Sequence, residues 1–150
     1  MTRDHIDEIY DFNKTLGLLD AGYDDFLESS FQIEEALEGF NIDSYIVCDG
    51  KESAKELSRA IVAQCISKEP LADVDRLDKA IDAIVFAVGS IAKLGLTPSQ
   101  IRESISVVTK ANLQKLGMPK DKFGKVIKPD NFVGPEVELQ KILDSRSENV

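Results

Sequence analysis

The sequence predicts an all-α fold, a helical bundle of four to five main helices with an irregular C-terminal arm. Three observations predict it. Apolar residues recur at helical spacing in several segments. Those segments are bounded by N-capping residues, glycines and prolines. Between Ala80 and Ala92 the chain is apolar nearly all round a helix, which predicts a central, most buried helix. A chain of 150 residues that is 43% hydrophobic suits one domain, residues 1–150, with one core.

Residues 4–16 form the first predicted helix, with Ile6, Ile9, Tyr10, Asn13 and Leu16 near one side and Gly17 as its stop. Asp24 or Asp25 caps the second, which runs to about Phe40. Residues 41–51 read as a connector around Tyr45-Ile46-Val47. The third helix spans Lys51 to Ser67, with Ala54, Leu57, Ile61 and Cys65 at helical spacing and Pro70 after it. The fourth spans Leu71 to Leu94 and ends at Gly95. Thr97-Pro98 then opens the fifth as N-cap and first helical residue, and it runs to Leu116 before Gly117. Residues 118–135, with Pro119, Pro129, Pro135, Lys120, Lys122, Lys125 and Lys128, form the irregular arm. A last short helix covers 136–143, and residues 144–150 fray.

Composition narrows the function. The formal charge is −9, with 27 acids against 18 bases, so the chain lacks the basic surface that a nucleic-acid polymer requires. Cys48 and Cys65 have no CxxC spacing and mark neither a zinc site nor a disulfide framework; Cys65 is expected as a small buried residue. His5 is the only histidine, so no Ser/His or Cys/His pair stands out, and His5 is expected on the surface of the first helix. No charged start leads into an apolar run and no stretch approaches the roughly 20 apolar residues of a membrane span. The expected location is the cytoplasm, with no membrane partner.

Two acidic clusters carry the chemistry. On the second helix Leu27, Phe31, Glu34 and Glu38 fall within about 60° of one another, so the acids continue an apolar stripe, with Glu35 flanking. On the fourth helix Asp75, Asp78 and Asp82 also lie within about 60°, and that face continues to Phe86 and Gly89. Half-buried like charges are costly unless paired or bound to a cation. Oxygen ligands without His or Cys favour Mg²⁺ or Mn²⁺. The alternative is a solvated charged face, with Lys79 beside Asp78 and Asp82 as a route to neutrality.

Ile33-Glu34-Glu35-Ala36-Leu37-Glu38 resembles the EExxE motif of the all-α nucleoside triphosphate pyrophosphohydrolases, the MazG-like and phosphoribosyl-ATP pyrophosphohydrolase-like group. The family's second motif, ExxD, corresponds to Lys79-Ala80-Ile81-Asp82, followed by the apolar run to Gly89 and Leu94-Gly95. Asp11-Phe12-Asn13-Lys14 with Leu16-Gly17-Leu18, and Ala111-Asn112-Leu113-Gln114-Lys115-Leu116 with Gly124-Lys125-Val126, resemble two further stretches of the phosphoribosyl-ATP-like branch. Together the four matches touch most of residues 6–128. One departure is plain: Lys79 stands where the family has an acid, and Asp78, four residues before Asp82, is the nearest substitute.

The resemblance implies an oligomeric bundle, a dimer or tetramer, that uses Mg²⁺ to hydrolyse the α–β phosphoanhydride of a nucleotide, giving a nucleoside monophosphate and pyrophosphate. It implies Glu35, Glu38 and Asp82 as metal ligands, with Asp78 reaching the same face in place of the missing acid, and Glu34 as a ligand or the base that orients water. Asn13, Asn112, Lys115 and Lys125 would contact the nucleotide, with the lysines on phosphate oxygens and the arm as a lid. Two rivals remain: a non-catalytic nucleotide-binding protein on the same fold, and a helical protein-interaction module.

Overall fold

A computed structural model of the chain describes residues 4–20, 22–39, 53–66 and 68–146, and every regular element among them is an α-helix. The expected connector at 41–51, with Cys48, lies outside the described residues, as does most of the expected fray at 144–150. The chain divides into two compact units, Gly22–Asp73 and Met1–Ala21 with Val74–Val150.

The Gly22–Asp73 unit is a helix pair. Helix α2, Asp25–Glu38, starts where the Asp24 carboxylate accepts from the Leu27 amide at 2.8 Å. Helix α3, Ala54–Cys65, starts where the Ser53 hydroxyl accepts from the Glu56 amide at 3.2 Å. Each cap satisfies an amide that has no partner inside its own helix. The two helices pack against each other, and their most buried side chains are polar: Ser30, Glu34 and Ser58, with Arg59 and Val62 close behind. Cys65, expected inside, is exposed at the end of α3, because Val62 one turn earlier takes the buried position.

The other unit contains α1 (His5–Thr15), α4 (Asp73–Lys93), α5 (Pro98–Leu113) and α6 (Glu136–Asp144). Reciprocal capping boxes start α1, between Asp4 and Asp7, and α5, between Thr97 and Gln100. Helix α5 packs against both α1 and α6. Its core gathers Leu96, Ile101 and Ile142, with Ile91, Ile105, Leu139 and Leu143 against them. Gly95, at φ +85°, ends α4 in a backbone state that costs a glycine little, and the chain bends by 113° into α5. Arg146 fastens that corner by donating from Nη1 to the Leu94 carbonyl and from Nε to the Leu143 carbonyl, both at 2.7 Å.

Helix α4 is not the buried centre that its composition predicts. It has no buried residue; Phe86 is 74% exposed and Val85 59%. Only its last turn joins the core, through Ile91. An apolar girth shows how much surface seeks cover, not which surface covers it.

The arm is also more regular than expected. Asp121 builds a tight turn, its carboxylate accepting from the amides of Phe123 at 2.8 Å and Lys125 at 3.0 Å. Lys120 and Val126 form an antiparallel bridge across it. The Gln114 side chain then holds the Val133 backbone on both sides, donating to its carbonyl at 2.8 Å and accepting from its amide at 2.9 Å. Among the described residues no single helix is long and apolar enough to cross a membrane.

Candidate functional site

Glu34, Glu35 and Glu38 occupy adjacent positions of the last two turns of α2. Each offers a carboxylate oxygen, and these oxygens all lie within 4.8 Å of one another. Their burial is unequal. Glu34 is 1% exposed, while Glu35 and Glu38 are exposed. The stripe geometry anticipates Glu34, which follows Phe31 and Ser30 into the contact with α3, and Glu35 at its flank; Glu38, expected on the same stripe, is exposed near the end of the helix.

A fully buried carboxylate needs a partner, and α3 provides it. The Arg59 guanidinium donates from Nη1 to Glu34 Oε2. The same nitrogen donates to the Ser58 hydroxyl at 2.9 Å and to the Lys55 carbonyl at 3.3 Å. The Arg59 guanidinium carbon lies 5.2 Å from the centre of the Phe31 ring, a cation–π distance. Four contacts thus hold Arg59, and through it the Glu34 carboxylate. Ser30, one turn before Glu34, is fully buried and its hydroxyl has no hydrogen-bond partner among the described residues. Sequence reasoning missed Arg59. The available signal was an arginine between Ser58 and the apolar Ala60-Ile61-Val62 run, opposite a helix with a buried acid.

The cluster suits a hard cation. Its donors are all carboxylate oxygens, and Mg²⁺ at about 2.0–2.1 Å from each ligand spans pairs up to about 4.2 Å apart. The observed spread, within 4.8 Å, is somewhat wider than that span. Charge fits as well. Three carboxylates and one guanidinium leave two net negative charges.

Asp75, Asp78 and Asp82 lie on α4, in the other compact unit, and all three are exposed. Asp82 does not sit at the edge of a buried face, because the apolar face beyond it is itself exposed. Lys79 is half-buried.

Asn13 and Asn112, from distant parts of the sequence, meet at one open cavity of about 500 Å³ lined by α1, the end of α4, α5 and α6. Its wall is apolar, with Phe12, Ile91, Ile105 and Leu139 among the residues that line it. Asn13 is oriented by donating from Nδ2 to the Ile9 carbonyl at 2.8 Å. Lys115 and Lys125 stand outside this lining. The Lys115 ammonium lies 5.8 Å from the centre of the Phe132 ring, which Lys128 also approaches at 5.0 Å.

His5 is half-buried, not a bare surface residue. The Ser106 hydroxyl on α5 donates to Glu8 Oε2 at 2.7 Å and lies 3.0 Å from His5 Nδ1; Glu8 lies 3.2 Å from the same nitrogen. The Ser106 hydroxyl, then the His5 ring, hold the Glu8 carboxyl below the usual carboxylate range. Serine and glutamate share one ring nitrogen, so the trio is no relay of the nucleophile–base–orienter type, which needs both. It joins α1 to α5. No protein-family model, curated protein or solved structure matches the chain.

Proposed function

We propose that the chain is a Mg²⁺-dependent nucleotide pyrophosphohydrolase, hydrolysing a nucleoside triphosphate or related nucleotide at the α–β phosphoanhydride to a nucleoside monophosphate and pyrophosphate. The observation that carries the proposal is the convergence of Glu34, Glu35 and Glu38, the three acids of the EExxE resemblance, around a shared point. Glu35 and Glu38, exposed, would hold the cation. Glu34, its orientation set by Arg59, would aim a water molecule at phosphorus. When bound, Mg²⁺ or Mn²⁺ supplies charge neutralisation at the phosphates and Lewis acidity toward water. Asn13 and Asn112 would contact the nucleoside, whose flat, weakly polar ring suits an apolar cavity with a few amides. Lys115 and Lys125 are proposed as phosphate contacts on motif position alone. Asp82, the remaining ligand that the resemblance implies, and Asp78, its neighbour at four residues, carry no weight in the proposal.

The test is pyrophosphate release from a panel of standard and modified nucleoside triphosphates with Mg²⁺ or Mn²⁺. Turnover that Glu38→Gln abolishes supports the proposal; no pyrophosphate from any nucleotide with either metal refutes it. Lys79, in place of an expected acid, favours a second reading: a nucleotide-binding protein without turnover. Calorimetric binding of a non-hydrolysable triphosphate, with no product from the hydrolysable one, would select it.

A further inference from the structure

Two serines lie fully buried where α2 meets α3, and they are not alike. Ser58 is satisfied twice: its hydroxyl donates to the Lys55 carbonyl and accepts from Arg59 Nη1, both at 2.9 Å. Ser30 is equally buried, and its hydroxyl has no partner among the described residues. A buried serine in a helix has a ready fallback, the carbonyl about one turn back. Ser58 takes it, and so does Ser104 on α5, which donates to the Gln100 carbonyl at 2.8 Å. Ser30 does not. An alanine would fill the same place without a stranded hydroxyl, so the packing of α2 on α3 gives no reason for the oxygen.

The nearest chemistry is Glu34, four residues after Ser30 on the same face of α2 and also buried. Long side chains on a helix lean toward its N-terminus, over the residue four before. For Glu34 that residue is Ser30. In the structure Glu34 Oε2 accepts from Arg59. A carboxylate has about four acceptor positions, so one guanidinium does not exhaust it.

We propose that Ser30 is a positioning residue for Glu34, a neutral donor that takes up its carboxylate when a divalent cation competes with Arg59 for it. The inference rests on the metal reading of the Glu34, Glu35 and Glu38 cluster. Glu35 and Glu38 are exposed, and water serves their remaining lone pairs; Glu34 is buried and depends on donors from the protein. As the guanidinium loses its hold, a hydroxyl on the same face keeps the carboxylate oriented and adds no charge to oppose the cation. A hydrogen bond behind a ligating carboxylate is worth about ten- to a hundredfold in metal affinity. Without a cation the same hydroxyl stabilises nothing.

Two measurements on the full chain test it. The first is a double-mutant cycle in EDTA, with Ser30→Ala placed in the parent and in Arg59→Met and each protein unfolded in urea. In the parent the substitution should leave the unfolding equilibrium unchanged or favour the folded state. In Arg59→Met, where Glu34 has lost the guanidinium, it should shift that equilibrium about tenfold toward the unfolded chain. The second is calorimetric titration with Mn²⁺, which Ser30→Ala should bind about tenfold more weakly than the parent while keeping its melting temperature. The titration stands even where Arg59→Met fails to fold. An additive cycle, or a Ser30→Ala chain that binds Mn²⁺ as the parent does, overturns the inference and leaves the metal reading intact. A parent that binds no Mn²⁺ overturns the metal reading itself, and the role of Ser30 toward a cation with it.

Discussion

Arg59→Met should unbalance the α2–α3 pair in a measurable way. The substitution keeps an unbranched stem and removes the guanidinium that faces Glu34, whose carboxylate is 1% exposed. Removing one member of a buried ion pair costs about 3–5 kcal/mol, because the other charge stays buried without its counter-ion. With a urea slope of about 2 kcal/mol per molar, the unfolding midpoint should fall by about 2 M. The double variant Glu34→Leu/Arg59→Met removes both charges and should recover to within about 1 kcal/mol of the parent, or exceed it. Urea titration followed by circular dichroism measures all three proteins. The metal proposal adds a second arm. Without Arg59 the three carboxylates carry one more net negative charge, so Mg²⁺ should restore stability to Arg59→Met, by about 2.7 kcal/mol at a hundredfold excess over its dissociation constant. Glu35→Gln/Glu38→Gln should cancel that rescue. A single-variant loss under about 1 kcal/mol, or a double variant no better than Arg59→Met, would refute the pairing argument.

Three further outcomes follow from individual contacts. Ser30→Ala should cost nothing and can raise stability by about 1 kcal/mol, since it deletes a buried hydroxyl without a partner; a thermal melt shows the sign, and a clear loss would mean that Oγ is bonded in solution. Glu8 is held below the usual carboxylate range, so its share of stability is complete above that range and is lost as pH falls through the lowered folded value. Ser106→Ala should flatten this acid limb, and melting temperatures taken between neutral and acid pH for parent and variant should converge at the acid end. Gln114→Ala removes both side-chain bonds to Val133, and hydrogen exchange should speed at Val133 while α5 and α6 keep their protection.

Helix boundaries were legible because their causes are local. Asp24 caps α2, and Thr97 with Pro98 opens α5, through bonds spanning three residues that the chain order displays directly. The all-α class followed from the same period. Burial was less legible, since it depends on what faces a helix. Glu34 lay correctly at the edge of an apolar stripe. The same logic placed α4 at the centre, where the structure exposes it, and placed Cys65 inside. Arg59 escaped because its partner lies 25 residues away across a helix contact, and side-chain pairing at that distance leaves no spacing rule in the sequence. Asn13 and Asn112 were named from motif order; no periodicity could show that they share a cavity.

Arg59 also bears on the departure at Lys79. A four-acid site would carry four negative charges and suit two divalent cations. Here the α2 cluster has three acids with a guanidinium built into it, which leaves two net negative charges. One divalent ion neutralises that and a second would not. A lysine in the place of the missing acid is then no defect in the α2 cluster, whose charge is already matched. Direct metal titration decides the matter: the parent should bind a single Mn²⁺, and Arg59→Met should bind it more tightly, because the guanidinium that competes with a cation for the Glu34 carboxylate is gone.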